Sequence, residues 1–419
     1  MQALVMQAEK VIQGLEVEDL SLDMSRGKPS AEQLALSQAL LSNVSAQELQ
    51  QILQEDGLDL RNYGGLEGLP EMQEFFRKML ELPSSVKVIV GGNSSLALMH
   101  NVLSLYQRYG VSEARPSWHG QQSKFICPVP GYDRHFAICK HLGVEMIAVA
   151  MHEDGPDMDA VEALVRSDNS IKGMWCVPKY SNPTGAIYSD AVMKRLACMP
   201  TAAEGFRLFC DNAYAVHSLD GVERSLADVF SLSAQAGYPN RVVMFGSTSK
   251  ITFAGAGVAA IASSEENVRY LLGHFSKQTI GPDKINQYRH VKFFAEHDLW
   301  VHMQAHARLL KPKFEYVQAQ LQAHLADTGL ASWTRPKGGY FIQLQVLSGC
   351  AQAVVAECAR LGLKLTPAGA TFPYGYDICD CNIRLTPSFL TMAQLEKAMV
   401  ILIAVVQKIC GQQYLKALN

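Results

Sequence analysis

Val242-Val243-Met244-Phe245-Gly246-Ser247-Thr248-Ser249-Lys250, followed by Thr252-Phe253-Ala254-Gly255-Ala256-Gly257, is the stretch on which the fold turns. Its first half is a short apolar run of the kind that forms a strand buried on both faces. Its second half is a glycine-rich turn. Two serines and a lysine therefore stand at the end of a predicted strand. A lysine placed there can form a Schiff base, with the hydroxyls close to a phosphate. A surface lysine after serines reads the same in isolation, so the neighbouring segments decide.

Working outward, similar runs occur at Val86–Val90, Lys124–Cys127, Val144–Ala150, Ile171–Val177, Arg207–Cys210, Arg241–Phe245 and Val258–Ala262. Helical patterns lie between them, as at Leu96–Tyr109 and Ala191–Ala197. This alternation predicts an α/β sheet with helices on both faces. After Ser264 a long helical pattern covers Asn286–Ala323, which Pro312 is expected to kink or divide. A strand at Tyr340–Val346, a helix at Ala351–Leu361, short strands near Leu363 and at Asn382–Leu385, and a helix at Met392–Ile409 predict a smaller α+β domain. The expected division is an N-terminal segment 1–50 packing on the small domain, a large domain 51–310 and a small domain 311–419.

The 419 residues are 48% hydrophobic and 18% charged, with net charge −3, which suits a globular protein with a large core. No basic stripe points to nucleic acid. The ten cysteines lack zinc-site spacing, and Cys379-Asp380-Cys381 is too tight for the usual two-residue gap. The N-terminus lacks the pattern of a secretory signal, and the apolar run Ala398–Val406 falls short of the roughly 20 residues that span a bilayer. Free thiols without an export signal predict a cytoplasmic protein with no membrane partner.

Three further segments lie after predicted strands. Tyr180-Ser181-Asn182-Pro183-Thr184-Gly185 is a turn that could aim the Asn182 amide at a ligand oxygen. Asp211-Asn212-Ala213-Tyr214 puts a carboxylate near the sheet centre, where burial demands a partner. A protonated pyridine nitrogen is such a partner; capping the next helix is the other role open to Asp211. Gly91-Gly92-Asn93-Ser94-Ser95 precedes a helix, whose free amides make a phosphate site. No Gly-Lys-Ser or Gly-Lys-Thr follows, which argues against a nucleoside triphosphate.

In this order the four elements resemble those of the fold type I, pyridoxal-phosphate-dependent (PLP) enzymes, specifically class I aminotransferases. The strings SRGKPS (from Ser25), NYGGLEGLPE (Asn62), GGNSSL (Gly91), CPVPGYDRHF (Cys127), CVPKYSNPTG (Cys176), DNAYAVH (Asp211), STSKITFAGAG (Ser247) and IGPDKINQ (Ile280) are similar to a bacterial aspartate aminotransferase subgroup. The resemblance implies a mostly parallel seven-stranded sheet and a homodimer acting on an amino acid and a 2-oxo acid, aspartate and 2-oxoglutarate being expected. It implies that Lys250 is the Schiff-base lysine and proton carrier and that Asp211 pairs with the pyridine nitrogen. Asn182 and Tyr214 would bond the ring hydroxyl, and Tyr132 would stack on the ring. Gly92, Asn93, Ser94, Ser247 and Ser249 would bind the phosphate, with Tyr63 reaching the neighbouring subunit's phosphate. Arg384 would clamp the substrate α-carboxylate, with Asn182 and Gly27 beside it. Lys337-Gly338-Gly339-Tyr340-Phe341 would be a structural turn. A β-lyase would share the cofactor residues; a non-catalytic ligand sensor is the remoter alternative.

Two departures stand out. Val258 occupies the position, eight residues after the lysine, where many class I enzymes carry a phosphate-binding arginine; Lys284 or Lys277 could replace it. Asn93 occupies the position of one subgroup's side-chain-binding lysine, leaving Arg26, Lys28, Arg134, Lys179 and Arg289 as candidates. His100, His119, His135, His217 and His290 lack metal-ligand spacing, so no metal is expected; His217 reads as a packed histidine near the site.

Overall fold

The computed structural model describes residues 1–15 and 20–418; residues 16–19 of the N-terminal segment, and Asn419, lie outside the described part. The chain opens with α1 (Gln2–Leu15), the short strand β1 (Leu22–Asp23), α2 (Ala31–Ala35), α3 (Ala46–Asp56) and α4 (Pro70–Met79). Next come β2 (Lys87–Val90), α5 (Ser95–Tyr109), β3 (Lys124–Val129), α6 (Asp133–His141), β4 (Glu145–His152), β5 (Gly155–Pro156), α7 (Met158–Ser167) and β6 (Ile171–Cys176). α8 (Asp190–Cys198), β7 (Arg207–Asp211), α9 (Val229–Gln235), β8 (Val242–Ser247) and β9 (Ala259–Ser263) follow. The remainder is α10 (Glu265–Phe275), α11 (Lys284–Glu296), α12 (Leu299–Leu325), β10 (Ala331–Trp333), β11 (Ile342–Val346), α13 (Ala351–Arg360), β12 (Leu363–Lys364), β13 (Asn382–Leu385) and α14 (Met392–Leu418).

The large sheet runs β2-β9-β8-β7-β6-β3-β4-β5. Its centre, β8-β7-β6-β3-β4, is parallel, and β9 is antiparallel to both neighbours. The seven expected strands are all present, and the two-residue β5 adds an antiparallel edge. Successive side chains enter opposite cores, as a strand's period of two requires. Leu208, Cys210, Val242 and Met244 join one cluster, while Phe209, Val243 and Phe245 join the other. Both faces are thus covered, which is why these strands read as continuous apolar runs.

A third cluster holds the C-terminal elements together with Ile12, Leu22 and Met24. There α1 lies along α14, and β1 pairs in parallel with β12. Leu49 of α3 instead joins the large-sheet core. α12 crosses between the two: Met303 packs with the large sheet, and Leu310, Phe314 and Val317 with the small unit.

Of the two outcomes expected at Pro312, division does not occur: α12 runs through it. The break falls earlier, where His297 turns extended and the Asp298 carboxylate caps α12 by accepting from the Val301 amide. Packing of Leu310, Phe314 and Val317 on the small core outweighs the hydrogen bond that the proline removes. α14 also runs further than its expected end at Ile409. By length and hydropathy it could cross a membrane, and 61% of its most apolar window is buried inside the protein.

Candidate active site

Parallel strands deliver their C-terminal ends to one rim of the sheet, where ligands bind in open α/β folds. Asp211 is the last residue of β7 and only 4% exposed. Its Oδ2 accepts from His135 Nε2 at 3.1 Å. The imidazole is held flat against Trp175, with ring centroids 4.3 Å apart and planes 6° from parallel. Asp211 Oδ1 is buried and has no hydrogen-bond partner among the described residues. A half-satisfied buried carboxylate is costly unless a donor, best a cationic one, completes it.

Lys250 lies three residues beyond the end of β8. Its Nζ sits 5.0 Å from the centroid of the Tyr214 ring. Burial lowers the ammonium pKa, and the charge of Asp211 pulls the other way. The outcome favours a free amine more than water would, which suits a nucleophile that also carries protons.

The loop around Lys250 is pinned from below. Thr248 Oγ1 accepts from the Val258 amide at 2.9 Å. His290 donates through Nδ1 to Asn286 O at 2.8 Å, and its Nε2 accepts from the Thr252 hydroxyl at 2.9 Å. His302 and His306 both place Nε2 against Ile251 O, at 2.8 and 2.9 Å. His217 Nε2 lies 3.4 Å from Lys250 O. Burial pushes His290 and His306 down to about 4 and His217 to about 3, so all three stay neutral.

Beside this loop, Ser94 caps α5, its Oγ accepting from the Ala97 amide at 3.2 Å. The first amides of α5 have no carbonyl partners within the helix. Ser249 Oγ donates to Asn93 O at 3.1 Å, and Asn93 Nδ2 to Gly255 O at 3.2 Å, which joins the two expected phosphate-binding turns. Ser247 is buried at the end of β8. At Gly257 a Cβ would lie 3.0 Å from the Ser249 nitrogen, so a side chain there would press on the backbone of the Lys250 loop. Gly92 and Asn93 line an adjoining cavity of about 490 Å³ with Val258, Asn286 and Arg289.

On the opposite side Arg384, in β13, is 5% exposed. It donates from Nη1 to Asp133 Oδ1 at 2.8 Å and to Asn182 Oδ1 at 3.3 Å. Nη2 donates to Ser25 O and Nε to Thr366 Oγ1, each at 3.2 Å. The Phe341 ring lies beneath it, and Gly27 packs so tightly there that a Cβ would meet Phe341 at 2.7 Å. Tyr132 caps the start of α6 and meets the His135 ring edge-on. The Gly338-Gly339 turn packs on Tyr180, and the Gly339 amide donates to His217 O.

Lys250, Asp211, Tyr214, Asn182, Tyr132 and the phosphate-side residues thus share one rim, and Arg384 reaches Asn182 there from β13 of the small unit. Tyr63 stands apart, 83% exposed, on a loop whose carbonyls Asn62 O and Gly64 O accept from Lys284 Nζ. That commitment leaves Lys284 a structural cation. Lys277 is exposed beside Ser276. Lys179 faces Glu81, Lys28 lies over Phe389, and Arg289 donates to Leu40 O. The sequence reading missed His135 as the partner of Asp211; its signal was its place three residues after Tyr132, on the buried face of α6. It also missed the approach of Asp377, Cys379 and Cys381, whose ligand atoms lie within 4.8 Å of one another. There Asp377 accepts from the amides of Cys379, Cys381 and Asn382, shaping the turn into β13.

A doubly covered sheet with this lysine, carboxylate and arginine on its rim defines the class of fold type I aminotransferases. Comparison with known proteins narrows the class: residues 1–417 match the family model described as aspartate amino-transferase, and the chain belongs to that family. It is 44% identical to an aspartate aminotransferase of Corynebacterium glutamicum, over 92% of this chain and 88% of that one. It is 47% identical to a Mycolicibacterium smegmatis protein named as an aminotransferase, over 92% and 90% of the two chains. A crystal structure of an aspartate transaminase from Corynebacterium glutamicum superposes with a TM-score of 0.91 at 41% identity, covering 99% of this chain and 97% of that one.

Proposed function

We propose that the enzyme holds PLP on Lys250 and moves the amino group of L-aspartate to 2-oxoglutarate. The observation that carries the cofactor assignment is Asp211 Oδ1, buried and lacking a donor on the same rim as Lys250. A protonated pyridine nitrogen supplies both the hydrogen bond and the charge. When bound, PLP supplies an electron sink for the bonds at the substrate Cα. The protein's own residues do the rest. Lys250 Nζ would carry the proton of the 1,3-shift, taking it from the substrate Cα and delivering it to the carbon on the far side of the amino nitrogen. Asp211 keeps the ring-nitrogen proton in place, and His135 keeps Asp211 oriented. Asn182 and Tyr214 hold the ring hydroxyl, and Tyr132 covers a ring face. The α5 amides, Gly92, Asn93, Ser94, Ser247 and Ser249 take the phosphate. Arg384 and Asn182, with Gly27 at their side, fix the α-carboxylate and hence which Cα bond stands over the ring.

The 44%-identical relative named as an aspartate aminotransferase supports aspartate as donor. The exposed Tyr63 supports a homodimer in which it reaches the partner's phosphate. Ten free cysteines support a cytoplasmic location.

Borohydride reduction of the purified enzyme, followed by peptide mapping, tests the cofactor assignment. The label is expected on Lys250, and label on any other lysine refutes it. Amino transfer from aspartate, followed with and without 2-oxoglutarate, tests the substrates; in a parallel assay on an amino acid that carries a β-leaving group, such as cystathionine, pyruvate and ammonia released without an acceptor would point to a β-lyase.

A further inference from the structure

We propose that Asp133 is a built-in competitor for the substrate carboxylate at Arg384, and so sets the affinity of the site for every carboxylate that enters it. The inference rests on the assignment of Arg384 as the carboxylate clamp.

A guanidinium has five N–H groups. Four are engaged: Nε with Thr366, one Nη2 hydrogen with Ser25 O, and the two Nη1 hydrogens with Asn182 and Asp133. Thr366, Ser25 and Asn182 offer neutral oxygens and are buried. Asp133 alone among these partners brings negative charge, at 2.8 Å, and its side chain is 28% exposed against 5% for Arg384. The buried cation is therefore held on three sides by neutral acceptors and neutralised on its wetter side by one carboxylate. That carboxylate takes a prong of the fork that a bidentate ligand needs.

An incoming α-carboxylate meets a guanidinium already paired. Two carboxylates sharing one cation repel each other, so one must leave. Asp133 has the route out, because it begins α6 at the solvent edge. A second cation, the exposed Arg134, lies 3.8 Å from its other oxygen and can receive it. The pair also joins α6 of the large unit to β13 of the small one across 251 residues of chain, so substrate entry exchanges an ion pair between the two units for one with the substrate.

The test is Asp133→Asn, which keeps size and hydrogen bonding and removes the charge. Succinate binding to the PLP-loaded dimer is measured by calorimetry for the wild type, Asp133→Asn and Arg384→Lys. A competitor predicts that Asp133→Asn lowers the succinate Kd by roughly tenfold. The KM values for amino acid and oxo acid should fall together, with kcat changed less than about threefold. If Asp133 instead orients Arg384, its replacement leaves Kd unchanged or raises it, and the proposal is overturned while the clamp stands. If Arg384→Lys leaves succinate binding unaltered, the clamp assignment itself is wrong and the competitor falls with it.

Discussion

Acidification should loosen the Lys250 loop through the histidines beneath it, and His290 gives the measurable case. Its fold-state pKa is about 4, against 6.5 for an unperturbed imidazole, mainly because burial disfavours the charged ring and secondarily because Arg289 is near. The native protein holds this histidine neutral, whereas the unfolded chain protonates it below about 6.5. The unfolded state thus binds more protons between those values. The contribution of His290 is complete above the unfolded pKa and is lost as pH falls from there toward 4. The full difference corresponds to about 3 kcal/mol, of which about 2 kcal/mol is lost between pH 7 and pH 5. With an unfolding entropy of about 2 cal/mol/K per residue, that is about 2 °C in the melting temperature of a chain this long. Scanning calorimetry of the wild type and His290→Gln at pH 7 and pH 5, at one protein concentration, isolates it. The drop in the variant should be smaller by about 2 °C; equal drops would show that His290 is not held neutral by the fold. His306, also pushed to about 4, adds a similar increment in the same window.

Asp211→Asn preserves shape but removes the charge facing the expected ring nitrogen, so kcat should fall by roughly two orders of magnitude or more while PLP is still retained, as checked by visible absorption. Gly338→Ala would drive a Cβ to 2.4 Å from the Tyr180 ring and 2.5 Å from His217 O. It should cost about 1–3 kcal/mol of stability in thermal unfolding, with the larger losses expected because the backbone must shift.

The parts that the sequence made legible share a physical cause. Strands buried on both faces carry apolar residues at every position, and β7 and β8 show this plainly. Polar residues directly after such runs, Asp211 and Ser247–Lys250, break the pattern and so mark the rim. What escaped depends on contacts distant in sequence. His135 lies 76 residues from Asp211, and its place three residues after Tyr132 on α6 does not by itself say which group it would meet. Asp133 reads as a favourable acid in the first turn of a helix, which it is, and its ion pair with Arg384 becomes visible only in three dimensions. That α12 continues through Pro312 instead of dividing there has a related reason. A helix-breaking tendency of one residue is a local term, and Leu310 and Phe314 bury enough surface on the small core to overrule it.

Val258 sharpens the question of how the phosphate is held. Its side chain is 1% exposed and packs in the large-sheet core, while its amide donates to Thr248 Oγ1. The position is thus committed to fixing the loop that carries Lys250, and an apolar side chain there offers no charge to a ligand on the rim. Lys284 is equally committed, to Asn62 O and Gly64 O under the Tyr63 loop. On the proposed reading, the cradle that remains would consist of the α5 N-terminus and the hydroxyls of Ser94, Ser247 and Ser249. A helix start carries roughly half a unit of positive charge, delivered through amides already in position. Such a cradle recognises a phosphate by geometry more than by net charge. Its affinity should therefore depend on the backbone of Gly92–Ser95 and on the close approach at Gly257, and less on any single cation.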